Sequence, residues 1–244
     1  MSDENVMVHD FSMEGEVLFL DKPLHWTSFD VIKKVRYLFD VRKVGHAGTL
    51  DPHATGLLIV CTGKKTKSIE RFVGLEKEYI GTCKIGERTP SFDTETNAHE
   101  MRDWSAITGD QIREAANMFI GKQLQVPPMY SAVKYGGQPL YKYARSGRTV
   151  ERVEREIDIL CFDILQIRAQ FIDFCIVCSK GTYIRSLIDE FGLRLGCGAT
   201  LTALRRTRIG EHFVSQAMTM EQLSEWRNSI VIKNQSCYEI SSTN

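Results

Sequence analysis

The residue best placed to do chemistry in this sequence is Asp51, which lies in a short glycine-rich segment and is followed by Pro52. The permissive backbone around it comes from Gly45, Gly48 and Gly56. The next residues, 57–61, form an apolar run typical of a buried strand. Because loops fixed by a rigid sheet often carry catalytic groups, Asp51 is a candidate catalytic carboxylate. The alternative is that Asp51 and Pro52 only initiate a turn.

Two other groups of residues have the types that bind metals. His46, Asp51 and His53 are close in sequence, but ligands at these spacings in a glycine loop are weak support for a zinc site. Cys175 and Cys178 fall in a predicted strand, where residues three apart point to opposite faces. No second cysteine pair completes a ligand set. We therefore expect no metal and no organic cofactor.

Hydrophobic periodicity predicts the elements that position these residues. Strands are predicted at 16–20, 77–86 and 199–209, with two more inside 156–178. Helices are predicted from Ser28, as the cap, to about Phe39, and over 108–119, 182–195 and 219–226. Residues 43–56 and 87–96 are predicted to be loops.

Composition favours an ordinary globular protein. Of the 244 residues, 43% are hydrophobic and 25% are charged. The apolar runs are shorter than the roughly 18 residues that a membrane helix needs. The first residues are acidic and polar, unlike a secretory signal. Seven scattered cysteines suit a reducing compartment. We expect a cytoplasmic protein that does not contact a membrane.

The charges are unevenly distributed, although the formal net charge is +0. Residues 1–20 contain five acidic residues and no lysine or arginine. Residues 121–155 contain seven basic residues and two acidic ones, and residues 180–210 contain six and two. Local basic patches of this kind are what phosphate binding requires. The alternative is that they are solvated surfaces.

Several stretches resemble the TruB family of tRNA pseudouridine synthases. Residues 45–56 fit the family signature G-H-x-G-x-L-D-P-x-A-[TS]-G, and residues 180–185 match K-G-T-Y-I-R. Residues 127–134 match P-P-x-Y-S-A-x-K. Residues 22–28 resemble K-P-x-G-x-T-S, although His25 stands where glycine is usual. The resemblance covers roughly residues 16–210.

The resemblance implies an α+β pseudouridine-synthase fold with a central, largely antiparallel mixed sheet and flanking helices. The catalytic domain would span residues 16–210 after an acidic tail, 1–15. Residues 121–155 would form an insert that grips the T-arm of tRNA, since hairpin loops are recognised by shape and splayed bases. Residues 211–244 would be a short extension rather than a full RNA-binding PUA domain.

The resemblance also assigns roles to individual residues. The reaction breaks the N1–C1′ bond of uridine, and a carboxylate can stabilise or trap the charge that develops at C1′. That carboxylate would be Asp51, and Arg185 would pair with it, because a buried carboxylate needs a partner. The target base must be flipped out, and an aromatic face and an apolar pocket would receive it. Residues implied to contact the flipped base or its surroundings are Tyr79, which would stack on the base, His46, Tyr183, Leu204, Lys22 and Lys134.

The predicted function is isomerisation of uridine to pseudouridine at position 55, in the TΨC loop of tRNA, without an obligate protein partner. A guide-RNA-dependent synthase of the dyskerin type is one alternative. A non-catalytic module that binds RNA or helps tRNA fold is another. The paired Asp51 and Arg185 speak against the second alternative as the sole role.

Overall fold

The computed structural model describes residues 8–232. Residues 1–7 of the predicted acidic tail and 233–244 of the predicted extension lie outside this range. Within it the strands are β1 (Val8–His9), β2 (Val17–Lys22), β3 (Val44–His46), β4 (Ala54–Thr62), β5 (Lys77–Ile85), β6 (Glu87–Arg88), β7 (Glu100–Met101), β8 (Gly121–Gln125), β9 (Lys134–Tyr135), β10 (Gln138–Pro139), β11 (Arg155–Arg168), β12 (Phe171–Cys178), β13 (Ala199–Ile209), β14 (His212–Phe213) and β15 (Val231–Ile232). The α-helices are α1 (Ser28–Phe39), α2 (Ile69–Gly74), α3 (Gly109–Asn117), α4 (Leu140–Arg145), α5 (Ile184–Arg194) and α6 (Met220–Ser229), and two 3-10 helices cover Gly63–Ser68 and Val214–Gln216.

The chain divides into two compact units. The first unit contains the described residues up to Gly74 and those from Glu211 onward, and the second contains Leu75–Gly210. The predicted domain bounds, 16–210 and 211–244, stay a prediction. Residues 211–232 are nevertheless not a separate appendage, because Met220 and Leu223 of α6 belong to the apolar core of the first unit.

In the first unit, a small antiparallel arrangement of β2, β3 and β4 packs with α1 and α6. Strand β4 pairs with β2 over residues 56–61 and with β3 over its last three residues, and β1 and β15 form a separate parallel pair. The rings of Phe11 and Phe39 stack with centroids 4.0 Å apart. These rings belong to an apolar core that the strands form with α1 and α6. Burial of such side chains stabilises a folded unit.

Helix α1 begins as the sequence pattern predicts, but its cap is Thr27 and not Ser28. The Thr27 side chain accepts the amide of Asp30, and the Asp30 side chain accepts the amide of Thr27, which makes a capping box. Ser28 is buried and bonds elsewhere. The prediction for Ser28 was wrong because either hydroxyl fits the cap pattern, and only tertiary contacts separate the two.

The second unit contains a five-stranded antiparallel sheet in the order β13, β5, β12, β11, β8. Alternate residues of β5 are buried, which confirms the predicted strand. Helices α3 and α5 pack on one face, where the ring centroids of Phe162 and Phe191 lie 5.3 Å apart. Thr108 caps α3 as predicted. These features confirm the α+β class and the largely antiparallel sheet.

Two predicted loop segments are more structured than expected. Residues 43–56 contain β3 and the start of β4, so the true loop around Asp51 spans 47–53. Residues 87–96 contain β6 and buried polar side chains, which are Thr89, Ser91 and Asp93. Internal hydrogen bonds satisfy the buried hydroxyls, because those of Thr89 and Ser91 both donate to the carbonyl of Asp93.

Both ends of the predicted insert, 121–155, belong to strands of the sheet. Its first five residues are the edge strand β8, and Arg155 begins β11. The part outside the sheet is residues 126–154, hereafter the 126–154 segment. None of the helices in residues 8–232 is long and apolar enough to cross a membrane.

Candidate active site

The backbone on both sides of Asp51 is fixed by hydrogen bonds within the first unit. The Ser28 hydroxyl accepts a hydrogen bond from the backbone amide of Leu50 at 2.9 Å and donates one to the carbonyl of Leu50 at 3.1 Å. The amide of Ala54 donates to the carbonyl of Asp51 at 3.0 Å, and that of His25 to the carbonyl of Pro52 at 2.8 Å. Asp51 is therefore a half-buried carboxylate on a loop with little backbone freedom.

His25 adopts the left-handed backbone conformation, with a φ of 65°. Glycine reaches this region without strain, whereas other residues do so at a cost of about 1–2 kcal/mol. The conformation is the one that glycine would adopt most easily at this position. Position 25 thus has a glycine-like backbone although it carries histidine, and the His25 ring lies edge-on to His53, with centroids 5.7 Å apart.

Lys22, a predicted substrate contact, is fully buried. Its ammonium donates to the carbonyls of Pro23 at 3.0 Å and Trp26 at 2.6 Å. These two hydrogen bonds tie the ammonium to the turn that leads into α1, and the predicted substrate contact of Lys22 stays a prediction. His46, the other predicted residue of this unit, lies in β3 and is half-buried.

In the second unit, the sheet register brings Tyr79 and Leu204 together. Arg206 lies opposite Tyr79 and Leu204 opposite Gly81, so all three side chains project from one face. Tyr79 is buried and Leu204 half-buried. An aromatic ring beside an aliphatic side chain is the surface that can receive a flipped base.

Lys77 was missed from the sequence and lies on the same face as Tyr79, two residues away along β5. It is buried, and its ammonium donates to the carbonyl of Leu75 at 2.5 Å. Burial, followed by the nearby charges of Arg206 and Lys180, lowers the pKa of Lys77 to about 8. Burial is thus the main cause of the lowered pKa of Lys77, and the two nearby cations add to it.

Arg185 is buried in α5, and acceptors of the second unit hold its guanidinium. Its Nε lies 3.5 Å from Oδ2 of Asp93, and its terminal nitrogens donate to the carbonyls of Ser91 at 3.0 Å and Tyr130 at 2.7 Å. The guanidinium thus links α5, the 89–96 loop and the 126–154 segment. Sequence reasoning missed Asp93 because its partner is 92 positions away and no local pattern marks the pair.

Tyr183 is the N-cap residue of α5, and its backbone forms two hydrogen bonds with a buried glutamine. The side chain of Gln125 accepts the amide of Tyr183 at 2.8 Å and donates to its carbonyl at 3.1 Å. Gln125 is the last residue of β8, so the edge strand fixes the 180–185 turn. Gln125 was also missed, since a lone glutamine has no signature.

The 126–154 segment presents cations interleaved with tyrosines. Lys134 is exposed on the β9–β10 hairpin. Arg145 lies 5.6 Å from the ring of Tyr141, and Arg148 lies 5.0 Å from the ring of Tyr143. Exposed guanidinium groups beside aromatic rings can bind phosphates and stack on bases.

The first unit therefore holds a carboxylate on a fixed loop, and the second unit carries an aromatic and aliphatic surface and an exposed cationic segment. Residues 36–184 match the TruB family pseudouridylate synthase N-terminal domain, and residues 185–235 match the tRNA pseudouridylate synthase B C-terminal domain. The chain belongs to the TruB family of pseudouridylate synthases.

Individual relatives agree with this family. The chain is 48% identical over 217 residues to tRNA pseudouridine synthase B of Chloroherpeton thalassium, covering 87% of this chain and 90% of that protein. It is 46% identical over 220 residues to the protein of that name from Flavobacterium johnsoniae, covering 87% and 96%. A chain of a crystallised Cbf5-Nop10-Gar1 complex superposes with a TM-score of 0.68 at 28% identity, covering 92% of this chain and 61% of the other. The pseudouridine-synthase fold predicted from the sequence is thereby confirmed.

Proposed function

We propose that this protein converts uridine to pseudouridine at position 55, in the TΨC loop of tRNA, with Asp51 as the catalytic carboxylate. In this isomerisation the N1–C1′ bond breaks and a C5–C1′ bond forms. C5 loses its proton and N1 gains one, so no atom is added or lost overall. The observation that carries the proposal is the loop at 47–53, whose hydrogen bonds hold one carboxylate in a segment that matches the family signature.

A carboxylate suits this reaction because breaking the glycosidic bond develops positive charge at C1′. Both direct attack of Asp51 at C1′ and elimination through a glycal are compatible with it. Arg185 would keep Asp51 ionised. Tyr79, Tyr183 and Leu204 would receive the flipped uracil, and His46 would occupy the space that it leaves. Lys134 and the other exposed cations of the 126–154 segment would grip the phosphates of the T-arm.

The relatives favour direct action on tRNA over the guide-RNA-dependent alternative. Those with 46–48% identity are named tRNA pseudouridine synthase B, whereas the superposed chain of the Cbf5 complex has 28% identity. The same proposal places the protein in the cytoplasm, where tRNA is available.

The test is incubation with an unmodified tRNA transcript and with a minimal T-arm hairpin, followed by mapping of pseudouridine. Wild-type protein is expected to modify position 55 only, and Asp51→Asn is expected to bind tRNA but not to turn it over. Asp40→Asn is the matched control, because Asp40 is an exposed C-cap in the left-handed region that asparagine tolerates. Asp51→Asn activity within about tenfold of wild type, roughly 1.4 kcal/mol in barrier, would remove Asp51 from the catalytic role.

A further inference from the structure

The 126–154 segment contains a cation that already has an anionic partner within the protein. The Arg145 guanidinium donates to Oε1 of Glu95 at 2.9 Å. The side chains of Arg145 and Glu95 are 66% and 30% exposed, so solvent and other anions can reach the pair. A carboxylate and a phosphate bind a guanidinium through the same type of charge-assisted hydrogen bond.

A hydrogen bond fixes the backbone amide of Glu95, while its side-chain carboxylate contacts Arg145. The Glu95 amide donates to Oδ1 of Asp93 at 2.9 Å, and Asp93 is buried beside Arg185. The 89–96 loop therefore presents the Glu95 carboxylate from a fixed position. Arg145 lies in α4, whose C-terminal end is exposed, and its alkyl stem can turn toward a ligand without moving the helix.

We propose that Glu95 competes with an RNA phosphate for Arg145, so that this ion pair opens when the T-arm binds. The inference rests on the proposed function, since it requires the 126–154 segment to contact RNA. Glu95 would lower the affinity for any RNA that cannot place a phosphate at Arg145, and it would assist release of the modified product. It acts through Arg145 and is not a catalytic residue.

The ion pair has a measurable effect on the salt dependence of binding. An arginine that binds a phosphate displaces a counterion from the RNA, which contributes about 0.7–0.9 to the salt slope. In the wild-type protein, the Glu95 carboxylate that Arg145 leaves repels the nearby phosphates most strongly at low salt, and this repulsion flattens the salt dependence of binding. With glutamine at position 95 the repulsion disappears, and the salt slope is expected to be steeper by a part of the roughly 0.7–0.9 that one phosphate contact contributes.

The experiment measures T-arm hairpin binding by fluorescence anisotropy across a salt series. Glu95→Gln is expected to bind about two- to five-fold more tightly than wild type at low salt, the range expected for an exposed ion pair. Glu151→Gln is the matched control, because Glu151 is an exposed glutamate of the 126–154 segment, as Arg145 is an exposed arginine of it, and Glu151 has no ion pair among the described residues. In an Arg145→Ala background, the gain from Glu95→Gln is expected to vanish.

A change equal to that of Glu151→Gln would assign the effect to net charge alone and overturn the proposal. Weaker binding of Glu95→Gln would show that the ion pair organises the segment for RNA, which also overturns it, as would a gain that persists with Arg145→Ala. Pseudouridine formation by the wild-type protein is measured on the same hairpin. Absence of wild-type binding would overturn the proposed function and this inference together, whereas normal binding with no Glu95 effect would overturn the inference alone.

Discussion

The buried pair of Arg185 and Asp93 gives a prediction whose size follows from the structure. Asp93→Asn keeps the shape of the side chain and removes its negative charge. At the observed 3.5 Å separation, the Coulomb attraction is about 5 kcal/mol for an effective dielectric constant of about 20. Desolvation of Asp93 itself opposes this attraction, and breaking a buried pair typically costs about 3–5 kcal/mol.

In the variant, Arg185 keeps its hydrogen bonds to the carbonyls of Ser91 and Tyr130. The asparagine oxygen can still accept the amide of Glu95. We therefore expect a loss of about 3 kcal/mol in the free energy of unfolding, at the lower end of the range for buried pairs. Turnover is expected to fall as well under the proposed function, because Arg185 loses one of the contacts that position its guanidinium.

Urea denaturation, monitored by far-UV circular dichroism, measures the free energy of unfolding. Single-turnover pseudouridine formation measures the rate of the reaction. Glu156→Gln is the control, since the exposed side chains of Glu156 and Lys122 are 3.8 Å apart and their pair is worth less than about 1 kcal/mol. If Asp93→Asn and Glu156→Gln have equal stability, the counter-charge of Asp93 is not what holds Arg185.

Other expected outcomes concern RNA affinity, the turn before Asp51 and the buried lysine. Three exposed cations are replaced together by Lys134→Ala, Lys142→Ala and Arg145→Ala. Affinity for the T-arm hairpin should then fall by a larger factor than turnover at saturation, and the salt slope of binding should become shallower. An unchanged slope would mean that the 126–154 segment does not bind phosphates. His25→Gly should stay within about 1 kcal/mol of wild type in urea, because relief of the left-handed strain offsets the entropy of glycine; a loss above about 2 kcal/mol contradicts this. Burial lowers the pKa of Lys77 from 10.5, its value in the unfolded chain, to about 8 in the folded protein. Between these two pH values the unfolded chain binds more protons than the folded protein, so the contribution of Lys77 to the free energy of unfolding rises with pH across that window. Lys77→Met should remove this rise from urea-unfolding profiles, and identical pH profiles for variant and wild type would refute it.

Local patterns determined the elements that carry the proposed chemistry. Strict alternation predicted β5, and the spacing of Ile112, Ala115 and Ala116 predicted α3. These signals are reliable because each element buries one face, and burial imposes its period on the sequence. The glycine-bounded Asp51 was also visible, since the residues that allow such a loop are contiguous.

Only the tertiary structure decided which polar groups became buried partners. Ser28 bonds to Leu50 rather than capping α1, Gln125 grips Tyr183, and Asp93 pairs with Arg185. Each of these contacts joins residues at least 22 positions apart. A single polar residue is compatible with exposure or with burial, and the outcome depends on whether a distant segment supplies a hydrogen-bond partner once the sheet has formed. That long-range requirement is the physical reason why the chemistry could be predicted from the sequence while the contacts that position it could not.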